Sequence, residues 1–243
     1  MTYHGTNSWL VDWPDGTVVI DPGSPDERHL EAIVAACRGP LTHILVTHTH
    51  ADHVGGAAEL AARTGAPVAG WRQSADPGFT PDIGLGEGDT IGPLRALHTP
   101  GHAMDHLCFL GAGGVIFSGD HVMGWSTSMV PPPPHGDLSV FLDSLRLVRD
   151  RGDRLMLSAH GPAIPAPAAH VQTLIDHRLL RERSIAGLLG DAPQPLEALF
   201  ARAYGGLNPR LARPARLNLL SHLVKLERDG LARQEPEGWR RTG

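Results

Sequence analysis

The sequence predicts an α/β protein whose helices pack outside a two-sheet core, with a small helical domain appended. Three observations carry that reading. Short apolar strands and amphipathic helices alternate between Gly and Pro breaks over residues 8–157. Ligand-type residues stand at the ends of four strands, at His48-Thr49-His50-Ala51-Asp52-His53, His102, Asp120 and His160. After the proline-rich stretch 162–167 the chain turns Leu- and Arg-rich, with no further strand until its end. Strands that alternate with helices and carry ligands at their ends call for helices covering the outer faces of two packed sheets.

In order, residues 8–13 and 17–20 read as a hairpin across Pro14-Asp15-Gly16, whose proline and glycine set the turn. A helical pattern over 26–37 places Leu30, Ile33, Val34 and Cys37 on one face. The β-branched run 41–47 is a buried strand that stops at His48, and Gly55-Gly56 opens the helix 55–64, so the ligands are expected in a strand-to-helix loop. A strand over 68–71 precedes a Gly-, Pro- and Asp-rich stretch, 73–92, that reads as loop. Strands resume at 93–98, 106–110 and 114–118. Residues 125–137 form an irregular, stiff loop, because Pro131 to Pro134 cannot donate backbone hydrogen bonds. A helix over 138–149, with Asp137 as its cap, leads to a strand over 154–157. Helices follow at 168–189, 195–204 and 214–228, then two short strands at 231–233 and 238–241, an order that resembles a winged helix.

Length and composition bound the rest. At 243 residues the chain can bury a substantial core, and 41% hydrophobic with 19% charged residues is ordinary for a globular protein. No run is apolar enough to span a bilayer and no secretory segment reads from the first nine residues, so a cytoplasmic location is the default expectation. Cys37 and Cys108 lack zinc-type spacing and read as small core residues of a reducing compartment. Histidine, at 15 residues, is the informative excess. Net charge is −5 but uneven: residues 1–170 hold 9 Lys and Arg against 18 Asp and Glu, and 171–243 hold 12 against 8. The mildly basic tail is first a solvated surface and only weakly a hint of nucleic acid.

Three imidazoles and a carboxylate within six residues suit a metal site far better than a turn. His102, Asp120 and His160 bring the set to five histidines and two aspartates, enough for two ions with a shared carboxylate and room for water. An open site of that kind lowers the pKa of a bound water to about 7, and two ions about 3.5–4 Å apart also polarise a substrate oxygen. The residues therefore point to hydrolysis.

This ordered set of seven resembles the metallo-β-lactamase fold superfamily over about residues 5–165. The resemblance implies an αββα sandwich, with His48, His50 and His102 on a first metal, Asp52, His53 and His160 on a second, and Asp120 bridging. His177-Arg178-Leu179-Leu180-Arg181-Glu182, and the Leu-rich helix ending at Leu226 to Leu231, resemble the winged-helix extension of the subgroup that includes β-lactamase-like protein 2. Gly124-Trp125-Ser126-Thr127 ahead of Gly136-Asp137 is similar to that subgroup too. The implied domains are 1–167, catalytic, and 168–243, winged-helix-like. The family usually has another strand before the Gly5-Thr6-Asn7 turn, where only four residues stand here, so a missing edge strand or a trimmed start is expected. Zinc β-lactamases use cysteine in the second site and are usually exported; Asp120 at the bridging place argues against that activity.

Several other residues have readings of their own. His98 and His106 bracket His102 and are expected to orient its loop, as partners on the far ring nitrogen do. His121 is expected to line the pocket or the surface, because neighbours at a strand end point apart. Asp21 either hydrogen-bonds a ligating histidine or caps the turn at Pro22-Gly23. His177 and Arg178 are expected to anchor the long helix against the catalytic domain, and Trp125, Ser126 and Thr127 to line the substrate cleft or pack on the sheet.

The expectation is a dinuclear metal-dependent hydrolase in which a metal-bridging hydroxide attacks a carbonyl or phosphoryl centre, with Asp52 and Asp120 as catalytic carboxylates. Its cofactors are two divalent ions, zinc first and manganese or iron as alternatives, because His/Asp sites accept each. The family allows two substrates: a thioester, ester or lactone of the hydroxyacylglutathione-hydrolase kind, or single-stranded RNA. Phosphate contact needs cations, and the acidic catalytic half favours the ester class, although Arg210, Arg213 and Arg216 offer a local patch. A non-catalytic nucleic-acid-binding protein with a structural metal is the third reading; structural zinc sites are closed and four-coordinate, unlike seven ligands for two ions. No membrane partner is expected, and oligomeric state is not legible.

Overall fold

The computed structural model describes residues 4–242. The chain runs β1 (Trp9–Trp13), β2 (Gly16–Ile20), α1 (Glu27–Ala36), β3 (Leu41–Leu45), α2 (Ala51–Val54), α3 (Ala57–Thr64), β4 (Val68–Trp71) and β5 (Ile83–Leu85). It continues through β6 (Thr90–Ile91), β7 (Leu94–His98), β8 (Leu107–Gly111), β9 (Val115–Gly119), α4 (Leu138–Asp150), β10 (Leu155–Ser158) and α5 (Pro167–Ala186). The last part holds α6 (Leu196–Ala203), α7 (Ala212–Arg228), β11 (Ala232–Glu235) and β12 (Gly238–Arg241). The first sheet has the order β1-β2-β3-β4-β5 and the second β10-β9-β8-β7-β6. Part of the edge-strand expectation falls on residues 1–3, outside the described residues; within them, β1 is the edge.

Alternation along the strands builds four layers. Val18 and Ile20 of β2 point into the sandwich with Leu45, Leu94, Ala96, Leu107, Phe109 and Phe117, while Val19 points out to Leu30, Ile33 and Leu60 of the helices. The second sheet does the same: Leu97, Cys108 and Ile116 meet Phe141, Leu142 and Leu145 of α4. Cys108 is thus fully buried, as expected, whereas Cys37, read in the same way, is only partly buried at the end of α1.

Two expectations are corrected. The stretch 73–92 is not all loop, because Ile83–Leu85 and Thr90–Ile91 pair at the edges of the two sheets. Strands this short among glycines leave no alternation to detect. The ligand motif is not all loop either: Asp52 and His53 lie on the one-turn helix α2, His50 being its N-cap.

The topology explains where the site falls. β2 is parallel to β3, β9 is parallel to β10, and β7 and β9 are both antiparallel to β8. The C-terminal ends of β2, β3, β7, β9 and β10 therefore meet at one end of the sandwich, and they carry Asp21, His48, His102, Asp120 and His160. The backbone N–H of Leu107 donates to the carbonyl of Thr47 at 2.7 Å, tying the sheets together there. Gly119 permits this closure: its φ is +49°, and a Cβ would come 2.8 Å from Thr47 Oγ1 and 2.7 Å from His106 Nε2.

Beyond the sandwich, α5 serves two cores. Val171 and Ile175 pack with α4, and Ile185 packs with Leu199, Leu219, Leu223, Leu226 and Trp239 of the C-terminal unit. There α6 and α7 are followed by the antiparallel wing of β11 and β12. No described helix is long and apolar enough to cross a membrane.

Candidate metal centre

The site is built on a buried carboxylate that is hydrogen-bonded to one ligand, His53. Asp21 stands just past β2, at a φ of 51° and 2% exposed. Its Oδ1 accepts from the backbone N–H of Thr47 (2.8 Å), and its Oδ2 accepts from Thr47 Oγ1 (2.7 Å) and His53 Nδ1 (2.8 Å). This settles Asp21 as a partner of a site histidine. The Thr47 hydroxyl, having donated its proton, accepts from His48 Nδ1 at 3.1 Å. The bond leaves the lone pair of His48 on Nε2.

Three imidazole nitrogens converge on one point. His48 Nε2 lies 2.8 Å from His50 Nδ1, which lies 3.0 Å from His102 Nε2. His102 donates its Nδ1 proton to the carbonyl of Met129 (2.6 Å), so its Nε2 also presents a lone pair. Burial and the neighbouring imidazoles hold His48 well below its ordinary range and His50 at about 4, and burial lowers His102 against the pull of Asp120. The lone pairs of His48 and His102 meet at His50 Nδ1, where a proton on that nitrogen can bridge them and a metal cation could take its place.

A second cluster adjoins the first. His160 Nε2 is 3.4 Å from Asp52 Oδ2 and 3.2 Å from Asp120 Oδ1, and His53 Nε2 is 3.8 Å and 3.6 Å from the same two atoms. Asp120 turns its other oxygen, Oδ2, toward His102 Nε2 at 3.6 Å. One carboxylate thus faces both clusters. Among the described residues, His48, His50 and His102 form one group able to hold a metal, Asp52, His53 and His160 another, and His48, His53 and Asp120 a third between them.

The electrostatics favour a cation. His53 Nε2 and Asp120 Oδ1 are buried with no hydrogen-bond partner, and both face the centre. Burial works to lower His53, but the carboxylates of Asp21 and Asp120 outweigh it and push the ring up to about 10. Burial likewise works to raise Asp120, and contact with His53 outweighs it, holding the carboxyl below its usual range. The raised His53 and the lowered Asp120 are partners of one another, and a divalent cation between them would supply the same positive charge to the carboxylate. The residues fit divalent-metal binding, with imidazole and carboxylate donors and no thiolate.

Neighbouring residues hold the ligands in place. His106 accepts the backbone N–H of Asp120 at 3.2 Å, and its other nitrogen bonds Thr99 Oγ1 at 2.8 Å. His98 stacks on Trp71, with ring centres 3.7 Å apart, and donates to the carbonyl of Met104. His121 departs from expectation: it is fully buried against Phe141, where burial drops it to about 3. The chain turns inward after Asp120, and α4 covers the ring.

Four contributors escaped the sequence. Gly5 accepts from His160 Nδ1 (3.0 Å), and the Asn7 amide donates to the carbonyls of Ser158 and Gly161 (3.0 Å each), so the first strand's approach fixes the last ligand. Asp105 accepts from Thr49 Oγ1 at 2.7 Å and from the backbone N–H of Ala75 at 2.9 Å, steadying the ligand motif from β7's far loop. Met129 acts through a carbonyl, which no side-chain pattern reveals. An acidic residue directly before His106 was the one available signal.

A cavity of about 360 Å³ opens over the cluster. His50, Asp52, His102, Asp120 and His160 form its floor, and Met123, Trp125, Met129 and Pro214 an apolar wall. Ser126 and Thr127 line it as well, and Arg210 reaches it from the C-terminal unit.

Comparison with known proteins agrees with this geometry. A family model described as "Metallo-beta-lactamase superfamily" matches residues 1–160, and one described as "Beta-lactamase associated winged helix domain" matches residues 196–239. The "Atrochrysone carboxyl ACP thioesterase" of Aspergillus chevalieri is 35% identical over 200 residues, which cover 78% of this chain and 62% of that one. The chain therefore spans less than two thirds of that relative. The "Beta-lactamase-like protein 2 homolog" of Drosophila melanogaster is 29% identical over 255 residues, covering 96% of this chain and 86% of that one. The crystal structure of a metallo-beta-lactamase family protein from Thermus thermophilus superposes with a TM-score of 0.82 at 21% identity, covering 98% and 94% of the two chains. At that identity the likeness speaks for the fold, an α/β sandwich with a C-terminal winged helix.

Proposed function

The chain belongs to the metallo-beta-lactamase superfamily, and from that premise we propose that it is a dinuclear metal-dependent hydrolase of a thioester, ester or lactone. The observation that carries the reading is the Asp120 carboxylate, with Oδ1 3.2 Å from His160 and Oδ2 3.6 Å from His102. His48, His50 and His102 would hold one ion, Asp52, His53 and His160 the other, and Asp120 would bridge them. Divalent ions held there supply a water acidified to a pKa of about 7 and a Lewis acid for the scissile carbonyl. Zinc is the first choice, and manganese and iron suit the same donors.

The remaining chemistry belongs to the chain. Asp52 and Asp120 orient the attacking water by accepting its hydrogen bonds, and the wall of Met123, Trp125, Met129 and Pro214 takes the acyl portion. A cavity of this size, with an apolar wall standing over a polar floor, suits a small acyl substrate. The thioesterase named among the relatives acts in the same direction.

The catalytic half, with 9 Lys and Arg against 18 Asp and Glu over residues 1–170, favours the ester class over RNA. In the tail, Arg216 of the local patch pairs with Glu197 (2.7 Å), while Arg210 and Arg213 make no ion pair among the described residues. The test is a panel on the full chain loaded with Zn²⁺ or Mn²⁺: a thioester, a lactone, a phosphodiester and a short single-stranded RNA. Thioester or lactone turnover is expected. RNA cleavage without thioester turnover would replace the substrate reading, and no hydrolysis with retention of duplex DNA would make the chain a binding protein.

A further inference from the structure

Arg178 is the one arginine whose guanidinium is buried, at 3% exposure, and among the described residues no carboxylate lies within ion-pair distance of it. A buried cation without a counter-ion is costly, and neutral acceptors offset that cost at Nη1 and Nη2, while Nε is buried without a hydrogen-bond partner. Here those acceptors bridge two units. Nη1 donates to Asn218 Oδ1 of α7 at 3.0 Å; Nη2 donates to Thr127 Oγ1 at 2.9 Å and to the carbonyl of Ser128. The guanidinium also lies 5.7 Å from the ring centre of Phe141 in α4.

The segment it grips needs such anchors. Residues 127–130 belong to no strand or helix, so no ladder sets their path. Arg178 holds Thr127 and Ser128, and Ser221 of α7 donates to the carbonyl of Val130 at 2.7 Å. Between these two clamps sits Met129, whose carbonyl accepts from His102 Nδ1 at 2.6 Å. Ser128 Oγ donates to the carbonyl of Asp120. The same four residues therefore meet the C-terminal helices on one side and two residues of the metal cluster on the other.

We propose that Arg178 is a positioning residue through which the docked C-terminal helices set the ring of His102 and the backbone of Asp120, and hence the affinity and geometry of the metal centre. The winged-helix unit on this view is part of the metal site's scaffold as well as of the pocket wall. The proposal rests on the reading of the seven-residue cluster as a metal centre.

The test compares Arg178→Lys, which keeps the charge and loses the fork, and Thr127→Val, which removes one acceptor and leaves the guanidinium in place. Both are made in the full chain. Dissociation constants for Zn²⁺ come from chelator competition, ligand-field spectra from the Co²⁺-loaded proteins, and metal-free stability from thermal unfolding. Arg178→Lys is expected to bind Zn²⁺ about tenfold more weakly, as loss of a ligand's supporting partners does, with an altered Co²⁺ spectrum. Thr127→Val is expected to shift both in the same direction by less. A purely structural anchor would lower the metal-free melting temperature and leave the affinity and spectrum of the folded protein unchanged, and that result overturns the proposal. If Arg178→Lys does not fold, an unchanged affinity and spectrum in Thr127→Val overturns it alone. A wild-type chain that binds no divalent ion would instead sink the metal reading itself.

Discussion

Asp21 Oδ2 and His53 Nδ1 lie 2.8 Å apart, both residues almost wholly removed from solvent, and that bond turns the free nitrogen of His53 toward Asp120. Asp21→Asn isolates it. Asparagine tolerates the φ of 51° that Asp21 adopts, but its NH₂ cannot accept from both Thr47 Oγ1 and His53 Nδ1. Affinity for Zn²⁺, measured by chelator competition, is expected to fall about 10–100-fold. Wild-type affinity would remove Asp21 from the centre.

Asp120→Ala removes the one carboxylate that faces both clusters. Thioester or lactone turnover is expected to fall to background, and elemental analysis to find fewer ions per chain than in the wild type. Full activity in a variant that elemental analysis finds metal-free would end the hydrolase reading.

Chelation of the ions is expected to lower the melting temperature. A ligand at about 100 times its dissociation constant stabilises the folded state by about 2.7 kcal/mol. At about 2–4 °C per kcal/mol for a chain of this size, scanning calorimetry should record a loss of roughly 5–10 °C. An unshifted transition would mean that no ion is bound at the start.

Arg210 is the only cation on the pocket wall, and it makes no ion pair among the described residues. Arg210→Gln should raise KM about fivefold for a thioester with a phosphate-bearing leaving group, the effect of about 1 kcal/mol that an exposed pair supplies. An uncharged thioester should be hydrolysed with little change in KM. Equal effects on both would assign Arg210 to packing.

The C-terminal unit carries a pH signature of its own. Burial works to raise the Glu182 carboxyl, but the His222 ring 3.7 Å away and the hydrogen bond from Lys225 (3.1 Å) outweigh it and hold the group below its ordinary 4.5. A depressed carboxyl stabilises the fold above its unfolded value, and that stability is lost as pH falls through the folded value. Glu182→Gln should therefore be less stable than wild type at pH 7, with the gap closing below about pH 4.5 in denaturant titrations. A gap that does not change with pH would mean the pair contributes no charge-dependent stability.

The ligand set was legible because its chemistry leaves a compositional mark: imidazoles and carboxylates concentrated at strand ends, where an apolar run stops abruptly. The sandwich was legible for a related reason, since buried strands and amphipathic helices differ in period. Short edge strands such as Thr90–Ile91 lacked the length to show a period, and α2 lacked the turns.

By itself the sequence determined which residue types were available to bind a metal, and the order in which the chain delivers them. Only the tertiary structure decided how they are held. Asp21 meets His53 across 32 positions, Met129 meets His102 across 27, and Arg178 reaches Ser128 across 50. Such partners are set by the parallel run of β2 with β3 and by the docking of α5 and α7, and a carbonyl acceptor leaves no trace in the residue that supplies it.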